Sequence, residues 1–263
     1  MKTKKLVALV LVAVLAITSI VGTTLAYFKD TDSAKNVMTT GNVKIEQIEQ
    51  QRDEQGNLEE FEDDKKLFPI TKPFNYDKEV VIVDGQKARP LADNDYNVVD
   101  KIVTVKNIGT EEAYARTLFA FEMLALEKDD QGNVTKWDYA MNGMNGPVVI
   151  STISDIYGSG MATVVNEDGE WVTFELNGNK YAVCEYYHGE LAKDEISVPS
   201  LLQVYLKSDV GNEFYDYVGE EYEILTLTQA TQKAGFTDCR QALETAFGKV
   251  AEANLVEWFN GVE

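Results

Sequence analysis

The chain has 263 residues, with 24 Lys and Arg against 44 Asp and Glu, and a formal net charge of −20. A hydrophobic fraction of 44% with 10% aromatics is enough to bury a core, which excludes a disordered acidic tail. The acidic excess excludes a protein that tracks nucleic-acid phosphates, and the lone histidine, His188, excludes any two-histidine zinc site.

Lys2, Lys4 and Lys5 precede an uncharged run from Leu6 to Ile20, followed by Val21-Gly22-Thr23-Thr24-Leu25-Ala26. A cationic start, an apolar centre and small residues two apart predict a secretory signal peptide over 1–26, cut between Ala26 and Tyr27. The uncharged stretch Leu6–Ala26 could also just span a bilayer as an uncleaved anchor, but its Gly/Thr/Ala end suits a peptidase better than a lipid interface. Cleavage removes three lysines and no acid, so the charge deepens from −20 to −23. The remaining chain holds no second apolar run of membrane length and no L-P-x-T-G sorting signal, which predicts release or non-covalent retention outside the cell.

Residues 27–46 read as an extended arm and first strand, with a strand at Val43–Glu49. The stretch 47–66 is acidic and Gln-rich without periodicity, so it reads as a solvated loop or mobile arm. Residues 67–263 read as one β-sandwich domain. Strands are predicted at Val80–Val83, Val99–Asn107, Val148–Thr152, Leu201–Lys207 and Tyr222–Leu227. Ala113–Leu124 alternates one nearly all-apolar face with a mixed one, the pattern of a half-buried antiparallel strand. Glu170–Leu176 and Lys180–Tyr187, joined through Asn177-Gly178-Asn179, form the clearest hairpin. Eight or nine strands without interleaved helices indicate an antiparallel sandwich. A short helical turn is expected at Thr228–Ala234. Apolar residues then recur at three- and four-residue steps, predicting an amphipathic helix over about 236–259 packed on the sandwich. Asp238 is its expected N-cap, Gln241 the capping-box partner, and Gly248 a point where it can split.

Catalytic chemistry finds little to stand on. Cys184 and Cys239 can form a disulfide outside the cell or remain two buried thiols. Cys184 and His188 lie about 13 Å apart along a strand, too far for a nucleophilic pair. There is no G-x-S-x-G, no phosphate-binding glycine loop, no cysteine cluster and no calcium-loop spacing, so no catalytic, cofactor or metal residue is assigned.

At the expected cut the sequence reads Ala26-Tyr27-Phe28-Lys29-Asp30-Thr31-Asp32-Ser33, and then Thr40-Gly41-Asn42-Val43-Lys44-Ile45. A signal peptide leading into A-[YF]-F-x-D and then T-G-x-[VL]-x-[IL] resembles the TasA/camelysin family. Val103–Thr110 followed by Ala113–Arg116 is similar to that family's strand–Asn-x-Gly–strand unit. The resemblance implies a jelly-roll-like sandwich, export through a SipW-type signal peptidase, and a Gram-positive biofilm-matrix or cell-surface protein. It also implies fibres in which one subunit's N-terminal strand completes the next subunit's sheet. The assembly strand would then be Tyr27–Ile45, anchored by Tyr27, Phe28, Val37, Met38, Val43 and Ile45, with Gly41 as the backbone break. The expected role is a non-enzymatic, self-associating structural protein, while camelysin itself is classed as a metallopeptidase, which keeps an enzyme reading open. A monomeric adhesin or a secreted metallopeptidase is the alternative. Neither nucleic acid nor, after cleavage, membrane is an expected partner. Amino-terminal sequencing of the exported protein should begin at Tyr27; a chain still starting at Met1 would refute the signal-peptide assignment.

Overall fold

Runs rich in β-branched and aromatic residues prefer the pleated, packed surface of a sheet, and most of this chain follows that preference. The computed structural model describes residues 28–30, 37–40, 43–62, 67, 69–70, 80–81, 87–88, 97–141, 146–151, 161–211, 214, 217 and 222–260. The expected signal peptide, Tyr27, Gly41 and residues 63–66 of the acidic segment lie outside the described residues.

The strands are β1 (Phe28–Asp30), β2 (Val37–Thr39), β3 (Ile45–Arg52), β4 (Leu58–Glu60), β5 (Val80–Val81), β6 (Lys87–Ala88), β7 (Val99–Asn107) and β8 (Ala113–Glu122). They continue with β9 (Leu124–Lys128), β10 (Val134–Asp138), β11 (Val148–Ser151), β12 (Ala162–Thr163), β13 (Thr173–Leu176), β14 (Asn179–Leu191), β15 (Leu201–Leu206) and β16 (Ile224–Gln232). Two helices follow, α1 (Cys239–Phe247) and α2 (Glu252–Phe259). The larger sheet runs β1-β2-β16-β8-β14-β12, with β13 also on β14; the second runs β11-β15-β7-β3-β4. Two short ribbons, β5–β6 and β9–β10, stand apart. Every strand pair among the described residues is antiparallel except β2 with β16.

The two sheets face each other across a core of Phe119, Phe121, Cys184 and Tyr186 from one and Val103, Val148, Leu201, Val204 and Leu206 from the other. The outward face of the larger sheet is covered as well. Leu118, Ala120, Val183, Leu225 and Leu227 pack there against Leu255, Trp258 and Phe259 of α2. The chain is thus mainly β, with paired sheets and a helical cover.

This cover corrects the expectation for Ala113–Leu124. All ten residues of β8 are buried, because the core lies on one face and the helices on the other. The half-buried reading assumed a solvent face that the C-terminal segment takes away. The acidic segment 47–66 is corrected too: β3 continues to Arg52, turns at 53–57 and returns as β4. Its inward positions hold polar side chains with partners. Gln47 accepts from the Thr228 hydroxyl at 2.6 Å, and Gln51 donates to Glu59 at 2.8 Å. The turn is closed by Asp53, whose carboxylate accepts from the backbone N–H of Gln55 and Asn57 and from the Asn57 amide. Asp129 builds the same turn between β9 and β10. The helical turn expected at Thr228–Ala234 is instead the continuation of β16 to Gln232.

The expected C-terminal helix is split where Gly248 allowed it. Asp238 caps α1 by accepting from Gln241 N at 2.7 Å. At the other end Gly248 has φ +90°, a region L-residues avoid, and an added Cβ would lie 3.1 Å from Asn254 Nδ2. The Asn-x-Gly unit also has a physical reason. Asn107 is fully buried, accepting from Gly109 N at 3.0 Å and donating to the carbonyls of Glu111 and Leu191. A Cβ on Gly109 would stand 2.9 Å from Lys44 N, so only glycine lets β3's approach pass there.

One charge organises the helical cover. The side chain of Arg116, on β8, is wholly buried. Its Nε donates to Gln229 Oε1 at 2.9 Å, one terminal nitrogen to the Tyr187 hydroxyl at 3.4 Å, the other to Gly248 O at 3.3 Å. Glu185 lies 3.6 Å from it and also pairs with Arg240 of α1 at 3.0 Å, and the Trp258 ring sits 5.7 Å away. The guanidinium fork thereby ties β16, β14, the α1–α2 joint and α2 to β8. Arg116→Met should cost about 3 kcal/mol by chemical denaturation, because Glu185 stays buried with only the more exposed Arg240 for company. Unchanged stability would refute the clamp.

At the opposite end of β8, Glu122 accepts from Glu223 N at 3.0 Å, while the Tyr181 hydroxyl donates to the Glu223 carboxylate. Burial, and the neighbouring Glu223 charge, push the Glu122 carboxyl up to about 7. The folded protein therefore holds a proton that the unfolded chain releases between pH 4.5 and 7, so this contribution to stability falls as pH rises through that window. Glu122→Gln should flatten the stability profile between pH 5 and 8 and make the protein more stable than the parent at pH 8. Parallel profiles for the two proteins would contradict this.

Candidate functional site

The sequence Ile224-Leu225-Thr226-Leu227-Thr228-Gln229-Ala230-Thr231-Gln232 alternates two kinds of inward group. Leu225, Leu227 and Gln229 point toward the helical cover, where Gln229 holds Arg116. Thr228 and Ala230 point the other way. One side of β16 pairs along its whole length with β8. Among the described residues, its other side is occupied by a three-residue strand from the chain's own N-terminal segment.

That strand is β2. Val37, Met38 and Thr39 run parallel to Thr228, Gln229 and Ala230. Thr40 extends the contact, its N–H donating to Ala230 O at 3.1 Å and its hydroxyl to Thr231 Oγ1 at 2.8 Å. Val37 packs beside Ala230 and Ile45, while Met38 packs against the helix-side cluster. The Met38 sulfur accepts from Gln229 Nε2 at 3.5 Å. β1 lies outermost, with Phe28 opposite Thr39.

The expected assembly anchors therefore separate. Val37 and Met38 line the β16 edge as half-buried side chains. Val43 and Ile45 are each 6% exposed and belong to the protein's own core with Val105, Ala115 and Leu191. Ala26, Tyr27 and Gly41 lie outside the described residues. Sequence reasoning missed Thr228, Gln229 and Thr231, which form the receiving edge. The signal was present: threonine at 226, 228 and 231 is strand chemistry that the helical expectation for 228–234 passed over.

Beneath this edge a polar chain crosses between the sheets. Thr228 gives its hydroxyl proton to Gln47, so it accepts from Thr117 at 2.9 Å, and Thr117 in turn accepts from His188 Nε2–H at 2.8 Å. This fixes the tautomer and leaves Nδ1 as a bare lone pair, buried without a partner. Burial pushes the His188 pKa down to about 3, so the ring is neutral. A neutral imidazole with an open lone pair is what a metal would want. Yet among the described residues no group of three or more His, Cys, Asp or Glu comes together, and the Glu122–Glu223 pair is engaged by Tyr181. The donor set around His188 does not fit a catalytic metal.

The two cysteines are free. Cys184 is in the core between the sheets, its sulfur 3.8 Å from Met141 Sδ, and burial pushes its pKa up to about 12. Cys239 opens α1 on the other side of the larger sheet, near the carbonyls of Ala115 and Gly189. The sheet separates the two thiols, so of the two states left open the structure has the reduced one. Among the described residues no helix is long and apolar enough to cross a membrane.

Residues 1–52 match the family described as camelysin metallo-endopeptidase. Neither the curated proteins nor the solved structures contain a match to this chain. The matched stretch ends at Arg52, the last residue of β3, and so takes in β1, β2 and β3. The similarity to the camelysin family is thus confined to the N-terminal segment, residues 1–52.

Proposed function

We propose that this is an exported, non-enzymatic structural protein with a jelly-roll-like sandwich that polymerises into extracellular fibres or a surface layer by β-strand addition. The observation that carries the proposal is the pairing of Val37–Thr39 with the β16 edge: the N-terminal segment is already shaped to complete a sheet. Strand addition draws affinity from main-chain hydrogen bonds and specificity from alternate side chains. Here those side chains are Val37 and Met38, which project toward different clusters. The opposite sheet ends differently. Its edge strand β4 is fully exposed and carries Glu59 and Glu60, charges that discourage edge-to-edge pairing. A SipW-type signal peptidase would act during export, and the partner in the assembled state would be another copy of the chain. The similarity to camelysin metallo-endopeptidases supplies the alternative, a secreted metallopeptidase; chelator-sensitive cleavage of casein by protein free of contaminating proteases would favour it.

Like-charged subunits repel one another at low salt. Assembly should therefore accelerate with added salt, with divalent cations, and as pH falls toward the pI near 4.4. Turbidity indifferent to all three would count against a polymer. Deleting residues 27–41 should leave a folded monomer that makes no fibres by electron microscopy, since Val43 and Ile45 of the core remain. Fibres in normal yield would sink the mechanism.

A further inference from the structure

The polar chain that crosses between the sheets does not end at Gln47. The Gln47 amide nitrogen donates to Glu49 Oε1 at 2.8 Å. The other oxygen of that carboxylate takes the Lys101 ammonium at 2.5 Å, and the Phe61 ring centre lies 4.3 Å from the same nitrogen. Six side chains, Lys101, Glu49, Gln47, Thr228, Thr117 and His188, thus stand in one file from β7 and β3 across β16 and β8 to β14. We propose that this file is a two-state relay, in which the charge at Glu49 selects which ring nitrogen of the distant His188 carries the proton.

Each member of the file has one way to face once its neighbour is fixed. An ionised carboxylate only accepts, so Gln47 turns its nitrogen to Glu49 and its carbonyl to Thr228. Thr228 spends its single proton on that carbonyl, Thr117 spends its own on Thr228, and Nε2 of His188 is left to donate. The bare Nδ1, buried without a partner, is the end of that sequence. A primary amide at position 49 keeps the shape and removes the charge. Its oxygen then serves Lys101 and its nitrogen donates to the Gln47 carbonyl, so Gln47 must turn over. Both hydroxyl protons reverse, Nε2 becomes an acceptor, and Nδ1 takes the proton. The ring releases one proton to water and takes up another, so its charge stays at zero. The hydrogen bonds between 49 and 188 are kept in either direction. A mixed arrangement sets two donors or two acceptors face to face in a buried place, which is costly, so the file reverses as a unit. Both ends bias that one two-state element, which is the physical requirement for coupling. Glu49 lies on β3, the strand into which the N-terminal segment leads, and His188 lies in the larger sheet. An event that neutralises or displaces Glu49 is therefore registered across the sandwich without a backbone movement, and polymerisation plays no part in it.

His188 is the chain's lone histidine, so protein prepared without a histidine tag and labelled with 15N-histidine shows one imidazole by NMR. A ring nitrogen that bears a proton resonates far upfield of one with a bare lone pair, and two-bond couplings to the ring protons tell Nδ1 from Nε2. In the parent protein at pH 7 the protonated nitrogen is expected to be Nε2. In E49Q, whose amide spectrum should show the same fold, it is expected to be Nδ1. T228V cuts the file, so T228V and E49Q/T228V should share one tautomer. A parent ring protonated at Nδ1 would overturn the relay with no variant needed. The parent tautomer persisting in folded E49Q would overturn control by Glu49. A difference between T228V and E49Q/T228V would overturn the route through Thr228.

Discussion

The burial of Arg116 is the constraint on which the outer half of this protein depends. A guanidinium with no solvent access must have its donors satisfied, and four different elements supply the partners: Gln229 on β16, Tyr187 and Glu185 on β14, the Gly248 carbonyl between the helices, and the Trp258 face on α2. Satisfying one charge therefore fixes where the helices sit, and the helices in turn make β8 a strand buried on both faces. The break at Gly248 belongs to the same constraint, because a continuous helix would spend that carbonyl on its own hydrogen-bond ladder.

The inner face is organised by polar groups of a different kind. Gln47, Thr228, Thr117 and His188 pass hydrogen bonds from β3 across to β16, β8 and β14. Such a chain tolerates little slippage, since shifting either sheet by one residue would strand every member in apolar surroundings. β16 stands in both systems, with Gln229 on the helix side and Thr228 on the core side. A strand fixed from both faces is a rigid template for β2, which pairs along its side away from β8. The N-terminal segment that occupies it lies within the stretch matched to the camelysin family.

Much of the fold was legible wherever apolar residues follow a simple period. Val99–Asn107 is a strand with the expected bounds, Asn177-Gly178 joins β13 to β14, and Asp238 caps its helix. Legibility failed where inward positions are polar. Past Ile45, β3 turns Gln47 and Gln51 inward, and those side chains look like solvent residues until their partners, Thr228 and Glu59, are known. The far half of β16 failed for the same reason, its inward residues being Thr228 and Gln229. The receiving edge of the candidate site was hidden with it, whereas the donor residues Val37 and Met38 were visible through the family resemblance.

The amino-acid sequence alone determined the excess of acid, the lone histidine, the mainly β character and the family likeness of the first residues. These are properties of composition, periodicity and local motif, which do not depend on distant partners. Only the tertiary structure decided that the larger sheet is covered on both faces, that the two cysteines lie on opposite sides of it, and that Val37–Thr40 lies parallel to β16. Each of those depends on contacts between residues far apart in the chain, such as Met38 with Gln229 or Arg116 with Gly248. No local pattern encodes which buried polar group will meet which.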